Sequence, residues 1–480
     1  MNERRFRPEL RVLAAIAVAV VLAVWFTRSR SPSVTPAGSG PGIEVNFTAA
    51  RHASGAGAVI GVDAAMPPSL PGAAVREAFA KLGLGMPALQ VPDNVSGAVI
   101  AADTARAVRH ASGQPPLLVI TATSAESAAT YAERFGLLYT AAKDAGPGVR
   151  VGGFIGGYNG SFLDAFLKDG GSRADFVDFG FYGENPARPL SDGALLGELG
   201  AVSGEIGDAR SVIAASVPAR AGDIGVYVGP WNITSGPASL RYTSFAAMWD
   251  AALLGRILTA GDHRAGDHPA SGSLASGSLA DGSGLLYDGD GTAPRAYQPG
   301  DPTPLYAAIA MFTGSGLFPG FGTVIPGTVP GAAPGTAAVG VTSALPGVEA
   351  FASTSPDEIV VVNTSGSDRS TVLHVGGDTP MRAAQWRLGE SAGAVSGPVS
   401  AGPVSAGTAT SQNGSFALSL PPGSVTTVVV TPAAATGGSR GTVTGGSRGT
   451  VAIGNASTGQ CLASAASGTV ATASCSTGTG

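Results

Sequence analysis

Between residues 57 and 312, short apolar runs alternate with longer amphipathic ones. GAVIGVD at 57–63 predicts a strand, and AAVREAFAKLG at 73–83 predicts a helix closed by a glycine cap. The pairing recurs in MPALQVP with AADTARAVRHASG, PPLLVITAT with SAESAATYAERFGLLYTAAKDAG, and GVRVGGF with FLDAFLKDG. It continues in ADFVDFGFY with ALLGELGAVSGEIG, GVYVG with FAAMWDAALLGRILTAG, and GLLYD with PLYAAIAMF. Strict alternation of this kind predicts an α/β fold with a parallel sheet under covering helices. Seven pairs are present, one unit short of a (β/α)8 TIM-type barrel, whose usual size of about 250 residues suits a span of 46–320.

Past residue 320 the helical period disappears. VEAFASTSPDEIVVVN, STVLHVGG, MRAAQWRL, SFALSL and SVTTVVVTP are short β segments separated by turn residues, which predicts an all-β sandwich over 321–433. Inside the barrel span, SGSLASGSLADGSG at 271–284 reads as duplicated loop sequence. The octapeptide TGGSRGTV occurs twice from Thr436, so 434–451 reads as a flexible linker ahead of a last segment, 452–480.

The N-terminus changes the picture of where the chain works. MNERRFRPELR is basic, Val12–Phe26 is unbroken apolar sequence, and TRSRSPSV restores positive charge. With no A-x-A cleavage site, residues 1–30 predict an uncleaved signal anchor through which the chain meets the membrane. The apolar run falls just short of the roughly 17–25 residues of a spanning helix, so cleavage and secretion is the alternative. Residues 31–45, rich in Pro, Gly and Ser, read as a tether. Either way the chain is exported, and its two cysteines, Cys461 and Cys475, predict a disulfide in an oxidising space. Charged residues make up only 13% and net charge is -5, which argues against nucleic acid as a partner. With five histidines and two cysteines there is little material for a metal site, and no cofactor motif is present.

YAERFGLLYTAAKDAGPGVRVGG, DFVDFGFYG, VYVGPWN with FAAMWDAALLGRIL, PTPLYAAIAMF and LPPGSVTTVVV, taken in this order, resemble the large clan of (β/α)8 glycoside hydrolases that includes β-xylosidases and glucuronidase-like enzymes. The family also carries a β-sandwich. The tail, with GQCLASA and a second cysteine, is similar to the opening of a ricin-type β-trefoil lectin repeat, but it stops before any Q-x-W.

This resemblance implies two catalytic carboxylates, which in retaining hydrolysis stand about 5–5.5 Å apart. The family's nucleophile lies in a T-E-W-N-like stretch at the end of the seventh strand; aligned on Trp231 and Asn232, Pro230 occupies that place. The family's acid/base lies in an N-E-P motif that this chain does not contain, and the histidine of its sixth strand is replaced by Gly180. Two displaced carboxylates are candidates. Glu126 follows a strand but also completes a T-x-x-E capping box with Thr123, and Glu184 stands at a strand end or on a solvated loop. Tyr158, Asn159, Tyr182, Trp231 and Asn232 are candidates to line a sugar cleft, with barrel packing the alternative for Tyr182 and Trp231. GDHRAGDH at 261–268 reads as a solvated turn, and neither a Ser nor a Cys hydrolase motif is present. The expectation is an exported glycoside-hydrolase-like protein that binds polysaccharide or other glycans with a degenerate catalytic pair. A working retaining β-glycosidase and a cell-envelope structural protein are the alternatives.

Overall fold

The computed structural model describes residues 42–47, 60–64, 73–84, 86–112, 117–236, 238–260, 277–281, 285–286, 297–325, 341–376, 380–388 and 403–433, and in a separate unit 453–455, 460–464 and 470–474. Strand β1 (Ile43–Val45) precedes the barrel strands β2 (Ile60–Ala64), β3 (Met86–Gln90), β4 (Leu117–Thr121), β5 (Arg150–Gly157), β6 (Phe176–Glu184), β7 (Gly225–Thr234) and β8 (Gly277–Asp281). Each barrel strand runs parallel to the next, and β8 pairs with both β7 and β2, which closes a ring of seven strands. Among the described residues the ring is thus one strand short of the eight of a TIM-type barrel.

Helices α1 (Ala73–Leu82), α2 (Val95–Ser112), α3 (Ala128–Ala145), α4 (Gly160–Lys168), α5 (Asp192–Ser216), α6 (Ser244–Ala260) and α7 (Pro304–Thr313) supply the outer layer. Side-chain oxygens of Ser127, Asn159, Ser191 and Thr303 cap α3, α4, α5 and α7 by accepting backbone N–H bonds. The ring interior is small and filled by Ala88, Leu117, Val119, Phe176, Tyr227 and Leu279. Phe176 fits because its neighbour on β5 is Gly152, where a Cβ would lie 2.3 Å from the ring.

Two elements differ from the sequence reading. The last barrel strand is GSLAD, within the stretch read as duplicated loop, whereas Leu286 in the expected strand GLLYD makes only an isolated bridge with Pro302. In β8, Leu279 is fully buried in the barrel interior, and that contact outweighs the poor strand propensity of Gly and Ser. Strand β7 does not stop at Pro230 but continues to Thr234, because a bulge absorbs the proline.

The sandwich contains β10 (Val341–Ser343), β13 (Arg369–His374) and β16 (Ser415–Leu420), joined by β1 in a four-stranded sheet. Residues 43–45, expected as tether, therefore belong to the folded body: β1 pairs antiparallel with β10 and parallel with β13. The second sheet orders β15 (Val404–Ser411), β14 (Met381–Leu388), β17 (Ser424–Pro432), β12 (Asp357–Asn363), β11 (Val348–Thr354) and β9 (Thr323–Val324). Its central strand β12 is apolar on both faces: Ile359 and Val361 enter the sandwich core, Val360 and Val362 the core shared with the barrel helices.

The separate unit consists of β18 (Ile453–Asn455), β19 (Gln460–Ser464) and β20 (Val470–Ser474) in an antiparallel three-stranded sheet. Cys475 and the apolar run Val12–Phe26 lie outside the described residues. Among the described residues, no helix is long and apolar enough to cross a membrane.

Candidate functional site

Strand β6 is regular, so its even-numbered residues share a face. Phe176 fills the barrel interior, which puts Asp178, Gly180, Tyr182 and Glu184 in line with it toward the C-terminal end, while Val177, Phe179 and Phe181 join the helix-facing core. On β7 one extra residue intervenes, since Phe179 pairs with Val228 but Phe181 with Trp231. Gly229 and Pro230 therefore lie opposite Gly180 alone. Beyond the bulge, Tyr182 pairs with Asn232 and Glu184 with Thr234. These four residues stand side by side at the C-terminal end of the strands, the end at which barrels of this kind build their sites.

The structure divides the expected sugar-lining residues into two groups. Tyr182 is half-buried at the ring mouth and adjoins Asn232. Asn232 is buried, its Oδ1 accepts the Ile233 N–H at 2.8 Å, and among the described residues its Nδ2 has no partner. Trp231, Tyr158 and Asn159 are occupied elsewhere. Trp231 is 0% exposed within the helix-facing core, which leaves its ring no open face for a pyranose. Tyr158 packs edge-on against Phe179, and its hydroxyl donates to Asp208 on α5. Burial, reinforced by Asp208, pushes that phenol well above its ordinary range. Asn159 accepts the Phe162 N–H at 3.0 Å as the cap of α4.

Glu126 follows β4, and both of its oxygens are bound. Arg134, two turns into α3, donates from Nε to Oε1 at 2.9 Å and from Nη2 to Oε2 at 2.7 Å. The Thr123 N–H donates to Oε2 at 3.2 Å, while the Glu126 N–H returns to the Thr123 carbonyl at 3.1 Å. Thr123 and Glu126 thus form a closed turn just before the helix, and the cap itself is Ser127, one residue beyond the expected box. Arg134 also reaches Asp93 after β3 at 2.6 Å and the Thr121 carbonyl at 2.8 Å, tying two strand ends together. The Arg134 guanidinium holds the Glu126 carboxyl below the usual carboxylate range, against the opposing effect of burial. A general acid needs the reverse, a proton retained near neutral pH.

Glu184 is buried at the end of β6, where its Oε2 accepts the Leu190 N–H at 2.8 Å and so fixes the loop after the strand. Asp178, fully buried on the same face, was not among the expected residues. At about 3.3 Å per residue, the backbones of Asp178 and Glu184 stand roughly 20 Å apart, too far for one retaining pair. Asp178 could have been noticed as a carboxylate in the middle of an apolar strand. Arg134 offered no comparable signal, because a lone arginine on an amphipathic helix reads as solvated surface. Among the described residues, no three His, Cys, Asp or Glu side chains are grouped to hold a metal ion.

No protein-family model and no curated protein matches this chain. Solved structures do. An α-L-arabinofuranosidase from Thermotoga maritima, in its arabinose complex, aligns at 12% identity with a TM-score of 0.57 over 82% of this chain and 100% of that one. A family 51 α-L-arabinofuranosidase from Bifidobacterium longum gives 13% and 0.55 over 83% and 100%. A glucosidase from Croceicoccus marinus gives 12% and 0.51 over 82% and 99%. The fold is that of glycoside hydrolases. At these identities the likeness extends to the fold alone.

Proposed function

We propose that this chain is a glycan-binding protein on a glycoside-hydrolase barrel whose catalytic carboxylate pair is degenerate. The observation that carries the reading is the state of Glu126. The carboxylate that follows β4 is committed to Arg134 and the Thr123 turn, with its proton affinity lowered, so it is poorly suited to protonate a leaving group. Pro230 and Gly180, facing each other across the β6–β7 bulge, add to this, because neither side chain carries a nucleophile or a proton. Binding would fall to the ring mouth, where the Asn232 amide offers a donor beside the half-buried ring of Tyr182. Aromatic faces cover the apolar side of a sugar ring while amides bond its hydroxyls. The basic and apolar N-terminus supports an exported protein, held at the cell membrane or secreted. The names of the solved neighbours make arabinose- and glucose-containing polysaccharides the first ligands to try.

One experiment separates this reading from a working glycosidase that relies on Glu184. The natural chain is assayed against aryl α-L-arabinofuranosides and aryl β-glycosides, and for retention on the matching polysaccharides. Expected are turnover at the level of a blank and retention that weakens up to about tenfold in Tyr182→Ala. Turnover that disappears in Glu184→Gln would establish the enzyme. Absence of both turnover and retention on every polysaccharide tried would favour a structural role in the envelope.

A further inference from the structure

The six-stranded sheet meets the barrel helices along a seam that contains a buried carboxyl group, Glu358, with no hydrogen-bond partner among the described residues. Glu358 lies on β12 between β11 and β17, is 0% exposed, and among the described residues neither of its oxygens has a hydrogen-bond partner. Its orientation follows from its neighbours. Val360 and Val362, on the same face of β12, pack in the core shared with the barrel helices, whereas Ile359 and Val361 point into the sandwich. Across the ladders Glu358 pairs with Ser353 and Val429, and Val429 with Ala384. The Ser353 hydroxyl is engaged elsewhere, accepting from the Gly322 N–H and donating to the Pro356 carbonyl.

Among the described residues, no charge comes to meet it from the packed elements. Glu349 on β11 pairs with Val362, four residues and about 13 Å along the strand, and is held by Arg256 of α6. Asp357 is on the opposite face of β12, Arg382 on β14 is exposed, and Arg387, on the sandwich-facing side of β14, donates to the Ser419 carbonyl. Asp250 on α6 and Tyr306 on α7 are the other titratable groups of the two seam helices. Strands β9, β15 and β17 carry no charged residue.

We propose that Glu358 makes the seam between this sheet and the barrel alkali-sensitive: the seam holds while the side chain keeps its proton and loosens when that proton passes to solvent. An ionised carboxylate here would be buried without a cation or a donor, a state that proteins avoid by retaining the proton. Burial pushes the Glu358 carboxyl up to about 9. Because the folded value is raised, the stabilisation is complete below the ordinary 4.5 and is lost as pH rises toward and through about 9.

The test is denaturant unfolding of the full chain and of Glu358→Gln from pH 4 to pH 10. Relative to the variant, the unfolding constant of the natural chain is expected to be flat below about pH 5 and to rise by up to about tenfold per pH unit toward pH 9. Hydrogen exchange at pH 9, compared with the variant, should increase in β12 and β17 more than in β13 and β16 of the other sheet. A stability difference that stays constant across the whole range, or an exchange increase shared equally by both sheets, overturns the proposal. Should Glu358→Gln not fold, Glu358→Met gives the same comparison without a titrating group. The natural chain alone also provides a check. A carboxylic-acid carbonyl band in its infrared spectrum should persist at pH 7 and disappear through pH 9, and its absence at pH 7 overturns the idea.

Discussion

Arg134 joins three parts of the chain, since it binds both oxygens of Glu126, reaches Asp93 and donates to the Thr121 carbonyl. A half-buried bidentate pair of this sort is worth about 1–3 kcal/mol, because hydrogen bonds to charged groups exceed neutral ones. Glu126→Gln should therefore cost stability of that order, measured by denaturant unfolding at pH 7. The pH dependence has a fixed sign. The folded Glu126 value is lowered, so its contribution is present above the usual carboxylate range and is lost as pH falls through the folded value. The gap between natural chain and variant should close in acid, and a gap that widens there would contradict the ion pair. Glu126 was legible in the sequence as a carboxylate after a strand with a capping alternative, and the structure gives it a role near that alternative. Its partner was not legible, because the contact depends on how α3 folds back over the ends of β3 and β4. Trp231 illustrates the other limit. An aromatic residue at a strand end suits a sugar platform and a core equally well, and only the register past the bulge turns its ring toward the helices.

That bulge is the element on which the candidate site depends. With Gly229 and Pro230 together opposite Gly180, the Pro230 carbonyl would lie 3.2 Å from a Cβ at position 180. Gly180 and Pro230 are thus parts of a single backbone arrangement, and enlarging position 180 meets the other strand. Gly180→Ala should destabilise the chain by about 1–3 kcal/mol, since a strand carbonyl cannot yield as a flexible side chain can. Thermal unfolding checks this, and an unchanged or raised Tm would show that β6 and β7 adjust freely. The order of strands and helices was readable because the helices carry caps or apolar stripes, and strands such as β4 and β7 carry compact apolar runs with β-branched residues. The bulge was not, since register is set by which faces are buried and leaves no local signature. Strand β8 was hidden for a related reason, its single large apolar anchor being Leu279 in a Gly/Ser sequence.

Barrel and sandwich were separable in the sequence by the change of period, but their dependence on one another was not. One apolar core runs from the helix layer into the six-stranded sheet and includes Phe351 and Val360 of the sheet with Leu254, Ile257 and Phe312 of the helices, Phe351 packing on Phe312. Arg256 of α6 binds Glu349 of β11 at 2.8 and 2.9 Å, and Thr427 of β17 donates to the Met311 carbonyl of α7 at 2.7 Å. Strand β1, three residues long and too short to be read as a strand, places residues 43–45 in the sandwich ahead of the barrel strands in the chain. Two regions that share a core and a crossing strand should unfold together, although their sequence patterns read as separate domains. Gly255 is the position at which to test this. A Cβ there would lie 2.3 Å from ring atoms of Phe351, which is itself packed against Phe312. Gly255→Ala must displace that ring or separate α6 from the sheet, at an expected cost of about 1–3 kcal/mol. If the seam couples the two regions, the loss appears as one shifted transition, with helix-sensitive and sheet-sensitive signals moving to lower denaturant together. Two resolved transitions, with only the sheet signal shifted, would mean that the shared core contributes little and that barrel and sandwich fold as independent bodies.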